Sequence, residues 1–141
     1  MGLESLAPGR SGLLLLSLMP ASLTRTVGFH ALHQVDRHTD PHGHDYQCSV
    51  TVSGPLDESG MIVDLTLLDG ILAEEVVKPL AGKYLNVDVP AFAKERPLPT
   101  CEAMATYLFR RIAPRLPAGV GLERVRIAED ATLHGDCTRI A

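Results

Sequence analysis

The sequence holds no tryptophan, three phenylalanines and three tyrosines, so aromatic residues fill only 4% of its 141 positions. That length fits one compact domain, a hydrophobic content of 45% is enough to build its core, and a second domain is not expected. Cysteine is scarce as well. Cys48, Cys101 and Cys137 lie far apart with no Cys-x-x-Cys spacing. Neither a disulfide framework nor a thiolate zinc knot is suggested, and reduced cytoplasm is the simplest compartment. There is no basic run, and the formal net charge is −4. The electrostatic footprint for nucleic acid or an anionic membrane surface is missing, so the expected ligand is a small molecule or another protein. Long apolar runs are absent too. "LLLLSLM", Leu13 to Met19, falls short of the about 20 residues needed to span a bilayer. With Glu4 ahead of it and no clear small-residue cleavage site behind it, the run also makes a poor export signal. Residues 1–20 are expected to be a loosely ordered extension, with a true start at Met19 as a second reading, and residues 21–141 to be the folded domain.

What the chain does have is histidine in one place. Five of its six histidines fall between Phe29 and Val52, in "FHALHQVDRHTDPHGHDYQCSVTV". Residues Ser22 to His33 alternate, with Val27, Phe29, Ala31 and His33 on one parity, which predicts a strand with one buried face. Gln34 to Pro41 reads as a polar loop, and a second strand is predicted from His44 to Gly54. Asp64 is a predicted N-cap for a helix carrying Leu65, Leu68, Leu72 and Val76 and ending by Pro79. "AGKYLNVDVPAFAKERPLP" reads as an irregular linker. A second helix is expected from Pro99-Thr100, with Met104, Leu108 and Ile112 on one stripe, followed by strands at Leu122–Glu129 and Leu133–Ile140. The order is ββααββ, an α+β fold.

Side chains on a strand repeat every two residues, so His42 and His44 share a side with Cα atoms about 6.5 Å apart. His33 ends the first strand on the apolar parity. If the two strands pair antiparallel, His33 can face His44 across the ladder, and three imidazoles converge. Three histidines with no fourth protein ligand suit zinc with one position open to water or substrate. His30 lies on the opposite parity, and it and His134 are read as ordinary surface or hydrogen-bonded histidines. His38 is a loop histidine with no assigned partner.

The segments "FHALH", "HGHDY", "GMIVDL", "KYLN", "PTCE" and the late "AED", in this order from about Thr24 to Glu129, resemble the 6-pyruvoyltetrahydropterin synthase and 6-carboxytetrahydropterin synthase family. The resemblance implies a tunnelling fold, a four-stranded antiparallel sheet with two helices on one face. It also implies homo-oligomers that close sheet-lined barrels, often hexamers of two trimers, with active sites between subunits. It maps three zinc ligands onto His33, His42 and His44. It further implies a lyase acting on 7,8-dihydroneopterin triphosphate, with a pterin-gripping glutamate at Glu129 and a pocket-shaping threonine at Thr100. Glu129 shares a parity with Val125 and Ile127, and a carboxylate there needs a partner: either the paired donors of a pterin edge or an arginine such as Arg126 or Arg139.

The chain departs from the family at the residues that move protons. The family has a cysteine shortly before His-x-His and an Asp-His pair before the Tyr/Asn-Leu segment. Here residues 34–41 contain no cysteine, and Ala81-Gly82 stands where the pair is expected. Cys101, beside Thr100, is the thiol nearest the pocket motif, and Asp36 and His38 are the candidate replacements in the loop. Arg25, Arg37 and Lys83 are phosphate candidates by charge alone. The expectation is a zinc-dependent pterin lyase; the alternative is a pterin- and metal-binding homologue without the usual turnover.

Overall fold

Alternating patterns dictate the first half of the molecule. A computed structural model describes residues 21–94 and 96–140; the predicted extension at 1–20 lies outside them. Strand β1, Ser22–His33, pairs antiparallel with β2, His42–Ser53, and β2 with β3, Gly121–Ala128. The last strand, β4, His134–Thr138, completes an antiparallel sheet of order β1-β2-β3-β4. Inward-pointing Phe29, Ala31, Tyr46, Cys48, Val50, Val52, Val125 and Ile127 are buried. On the other face Thr24 bonds Thr51, and Thr26 bonds Ser49, both at 2.8 Å across the ladder.

Helices cover the inward face. Helix α1, Leu65–Leu72, starts where the Asp64 carboxylate accepts the Thr66 N–H at 2.9 Å. A π-helical stretch, Ala73–Val77, continues it into α2, Lys78–Leu80. Helix α4, Cys101–Ile112, follows Thr100, whose Oγ1 accepts the Ala103 N–H at 3.1 Å. It buries Met104, Ala105, Leu108 and Ile112 against β3 and β4. Each fully buried Leu or Ile contributes roughly 1.5–3 kcal/mol. The α+β architecture is as the pattern predicts, and the helices on one face are as the resemblance implies.

Two expectations need correction. The first helical path does not end at Pro79. The wider π turns precede it, and Pro79 falls in the opening turn of α2, where an absent N–H costs little. Nor is the 81–99 linker irregular throughout. It contains α3, Leu85–Asp88, and a 3-10 turn, Pro90–Phe92. Leu85, Val89 and Phe92 are buried, at the i, i+4, i+7 spacing of a helical stripe.

Gly135 in β4 lets the sheet meet the start of α4. A Cβ at Gly135 would lie 2.5 Å from the Glu102 nitrogen and 2.9 Å from the Cys101 carbonyl carbon. This contact brings the first turn of α4 alongside the end of β3.

Candidate metal centre

The paired ends of β1 and β2 position the histidines. His33 lies opposite His42, and Ala31 opposite His44. The expected pairing of His33 with His44 is therefore displaced, because β2 begins at His42 rather than His44 and both histidines sit on the ladder. The parity argument survives: all three rings converge edge to face, with centroids 4.7, 5.0 and 4.8 Å apart. Their ligand nitrogens lie within 4.8 Å of one another.

His33 is 1% exposed. Its Nδ1 lies 2.9 Å from the Pro99 carbonyl oxygen. A carbonyl only accepts, so Nδ1 carries the proton and Nε2 presents a lone pair. His42 Nδ1 is 3.3 Å from the Asp40 carbonyl oxygen, which sets the same tautomer. The two Nε2 atoms then approach to 3.1 Å as two acceptors, close enough for one cation beside them to take both lone pairs. His44 Nε2 is buried and has no hydrogen-bond partner. Burial lowers the His33 pKa, the neighbouring His42 and His44 add to this, and the bond to Pro99 and the Glu129 charge oppose it. The ring is thus held in its neutral, ligating form. Backbone-anchored imidazoles with inward lone pairs form a donor set that fits zinc.

Glu129 stands one residue beyond β3, its N–H donating to the Leu133 carbonyl at 3.1 Å. Its Oε2 lies 3.5 Å from His44 Nε2 and 3.6 Å from His33 Nε2. The arginines that compete with a ligand for it are committed elsewhere, Arg126 to Asp136 and Arg139 to Glu123. Cys101 Sγ donates to the same Oε2 over a long 3.9 Å. Burial, then the Glu129 and Glu102 charges, push the Cys101 thiol up to about 11, so it stays protonated. Tyr46 forms the floor, with its ring 5.7 Å from His33 and 5.4 Å from His44. Its hydroxyl is buried without a partner, and burial, followed by Glu129 and Cys101, raises its pKa. The sequence reading missed Tyr46, although it shares the parity of His42 and His44.

The other predicted residues sit apart. Thr100 uses its hydroxyl oxygen as the α4 cap and lines an outer groove of about 840 Å³ with Phe92 and Tyr107. Asp36 and His38 line a smaller pocket of about 340 Å³ with Gln34 and Leu98. The Asp36 carboxylate accepts the His38 N–H at 2.9 Å, and among the described residues neither side chain bonds to the histidine cluster. Of the phosphate candidates, Arg25 is held by Asp69 at 2.8 Å, Lys83 lines a separate pocket with Glu74 and Glu75, and Arg37 lies in the loop pocket with Asp36. Where the family's Asp-His pair is expected, the backbone splices onto β1. The Gly82 N–H, at a φ of 72°, donates to the His30 carbonyl at 2.7 Å. Asn86 then clamps the backbone of Gln34 from both sides, at 2.8 and 2.7 Å.

A sequence model of the family described as 6-pyruvoyl tetrahydropterin synthase matches residues 22–138. The chain belongs to this family. Among curated relatives, the 6-pyruvoyl tetrahydrobiopterin synthase of Poecilia reticulata is 40% identical over 89 residues, 62% of this chain and 58% of the relative. The chain thus spans less than two thirds of that relative. A putative 6-carboxy-5,6,7,8-tetrahydropterin synthase of Archaeoglobus fulgidus is 30% identical over 108 residues, 74% of this chain and 84% of the relative. A dihydroneopterin monophosphate aldolase of Pyrococcus furiosus is 29% identical over 113 residues, 79% and 91% respectively. The solved 6-pyruvoyl tetrahydropterin synthase of Caenorhabditis elegans superposes with a TM-score of 0.75 at 22% identity, covering 86% of this chain and 97% of that one. That likeness places the fold with the family. No helix among the described residues is long and apolar enough to cross a membrane.

Proposed function

We propose that this family member is a zinc-dependent lyase acting on 7,8-dihydroneopterin triphosphate or a closely related pterin. One observation carries the reading: two anchored Nε2 lone pairs and the orphaned His44 Nε2 meet beside a carboxylate with no arginine partner among the described residues. The His33 ring and the His44 Nε2 are buried, and buried groups of this kind are costly unless a cation satisfies them. Zinc held by His33, His42 and His44 would supply Lewis acidity to the hydroxyls of the substrate side chain. Glu129 accepts the two parallel N–H donors of the pterin edge, a charge-assisted pairing. Cys101, protonated beside it, donates rather than abstracts. Tyr46 and Phe29, stacked at 5.3 Å, form an apolar floor that excludes water. Asp36 and His38 are the proposed proton carriers, brought inward by closure of the 34–41 loop when substrate binds. Thr100 shapes the pocket by fixing the start of α4.

The protein is proposed to act in the cytoplasm as a homo-oligomer, a hexamer of two trimers. Support comes from β1, a twelve-residue edge strand on the open side of the sheet. A second reading is a pterin- and metal-binding homologue without turnover, favoured by the turn that occupies the Asp36 carboxylate and by the glycine splice at Ala81-Gly82. Incubation of the zinc-loaded protein with 7,8-dihydroneopterin triphosphate, read by mass spectrometry beside a His42→Ala control, separates the two. A new pterin absent from the control supports the lyase, and its side-chain mass names the bond broken. Bound but unchanged substrate supports the second reading.

A further inference from the structure

The segment that leads into α3 runs alongside the end of β1. The Gly82 N–H donates to the His30 carbonyl at 2.7 Å, the Leu32 N–H donates to the Lys83 carbonyl at 2.9 Å, and Tyr84 bridges Leu32 in parallel. At the next step, where a strand would offer its backbone, Asn86 offers its side chain. Its Oδ1 accepts the Gln34 N–H at 2.8 Å, and its Nδ2 donates to the Gln34 carbonyl at 2.7 Å. A carboxamide suits this position because it presents an acceptor and a donor side by side in one plane. Gln34 is thereby fixed immediately after His33.

Gln34 in turn spends its own carboxamide across the loop. Its Nε2 donates to the Thr39 carbonyl at 2.5 Å, and the Tyr84 hydroxyl donates to its Oε1 over a longer 3.5 Å. The bond to Thr39 closes residues 34–39 into a ring, with the turn of Asp36 and His38 inside it. It also fixes the peptide plane that leads from Thr39 into Asp40. The Asp40 carbonyl is the group that accepts from His42 Nδ1, at 3.3 Å. Among the three histidines His42 is the exposed one, whereas His33 is held by burial and by Pro99. The orientation of the His42 ring therefore depends on the loop that precedes it.

We propose that Gln34, clamped by Asn86, is a positioning residue: by tying the loop across its base it holds the Asp40 carbonyl, and so keeps His42 in the tautomer and orientation that ligate a metal. The proposal rests on the metal reading above and assigns to it two residues that touch neither the ion nor a substrate. An imidazole oriented before the ion arrives binds it without a further loss of conformational freedom. The tie also divides the loop. Its tip at 35–38 lies beyond the bond to Thr39, so the tip can close on a substrate without turning His42 away from the centre.

The test uses the full chain carrying Gln34→Met, which keeps the length of the side chain but loses its donor, or Asn86→Ala, which removes the clamp. Two readouts are taken. Nitrogen–proton correlation spectra of the metal-free protein, recorded well above the ordinary histidine pKa, show which nitrogen of each neutral ring carries the proton. Zinc affinity is measured by competition with a chromophoric chelator. In both variants His42 is expected to become a mixture of tautomers while His33, anchored by Pro99, stays protonated at Nδ1. Zinc affinity is expected to fall roughly tenfold, the low end of the 10- to 100-fold that the partners of a ligand are worth. A change in both rings together would assign the bonds to the fold at large and overturn the positioning role. Zinc binding by the parent protein, with unchanged affinity and an unchanged His42 tautomer in Gln34→Met, would overturn it too and leave the three-histidine centre standing. Absence of zinc binding by the parent protein would sink the metal reading and this proposal with it.

Discussion

At the inner wall of the site, His33 is 1% exposed, its Nδ1 is held by a backbone carbonyl and its Nε2 is aimed inward. Three and five residues further on, in the loop, Asp36 and His38 are exposed and spend polar groups on closing their own turn. The wall is built from strand ends, a helix start and a braced turn. The rim is built from a loop held at its base by Asn86 and otherwise bonded mainly to itself. Preorganisation resides in the part that binds. The part that would move protons is left adjustable, as expected of a segment that must close on a substrate.

Breaking the wall is expected to have the largest effect. His33→Ala removes a ligand and strands the Pro99 carbonyl, so zinc affinity should fall by more than about 100-fold and unfolding free energy by about 1–3 kcal/mol, as measured by chelator competition and urea denaturation. Gly135→Ala attacks the same wall from behind. Its Cβ would meet backbone of α4 at 2.5 Å, and the required shift should cost about 1–3 kcal/mol and loosen metal binding without touching a ligand. Acid probes it more gently. The pKa of His33 is lowered in the metal-free fold, so the unfolded chain binds more protons as pH falls through 6.5, the ordinary histidine value. The His33 contribution to stability should be fully present above that pH and be lost below it, as seen in denaturation of chelator-treated protein at several pH values; a His33→Gln variant should show a flatter profile. Substitutions at the rim should be the mildest. Asp36→Ala and His38→Ala are expected to leave metal affinity unchanged and stability within about 0.5 kcal/mol, while lowering turnover of the pterin. Unchanged turnover in both would remove the rim from the chemistry.

Much of the wall is legible in sequence because strand parity is a strict code. Phe29, Ala31 and His33 on one strand, and His42, His44 and Tyr46 on the next, point inward whatever the details of the loop. The pairing partner was harder to read, because the start of β2 depends on where the loop stops, and polar His42-Gly43 carries no apolar signal. The α3 turn went unread for a related reason: Leu85, Val89 and Phe92 mark a buried stripe, but Pro90 and the short length mask it. The approach of Cys101 and Glu129 was beyond any periodicity, since it depends on a helix start and a strand end separated in sequence and joined through Gly135. Rim chemistry is the least legible part. Loop side chains there answer to a bound ligand rather than to a core.

The hydrogen bond from His33 to the Pro99 carbonyl joins the two layers of the fold at a single point. Pro99 immediately precedes the cap of α4, and the opposite side of that cap lines the outer groove with Phe92 and Tyr107. The imidazole is thus a strut as well as a ligand. Whatever engages its Nε2 bears, through a rigid ring, on the residue that precedes the first turn of α4.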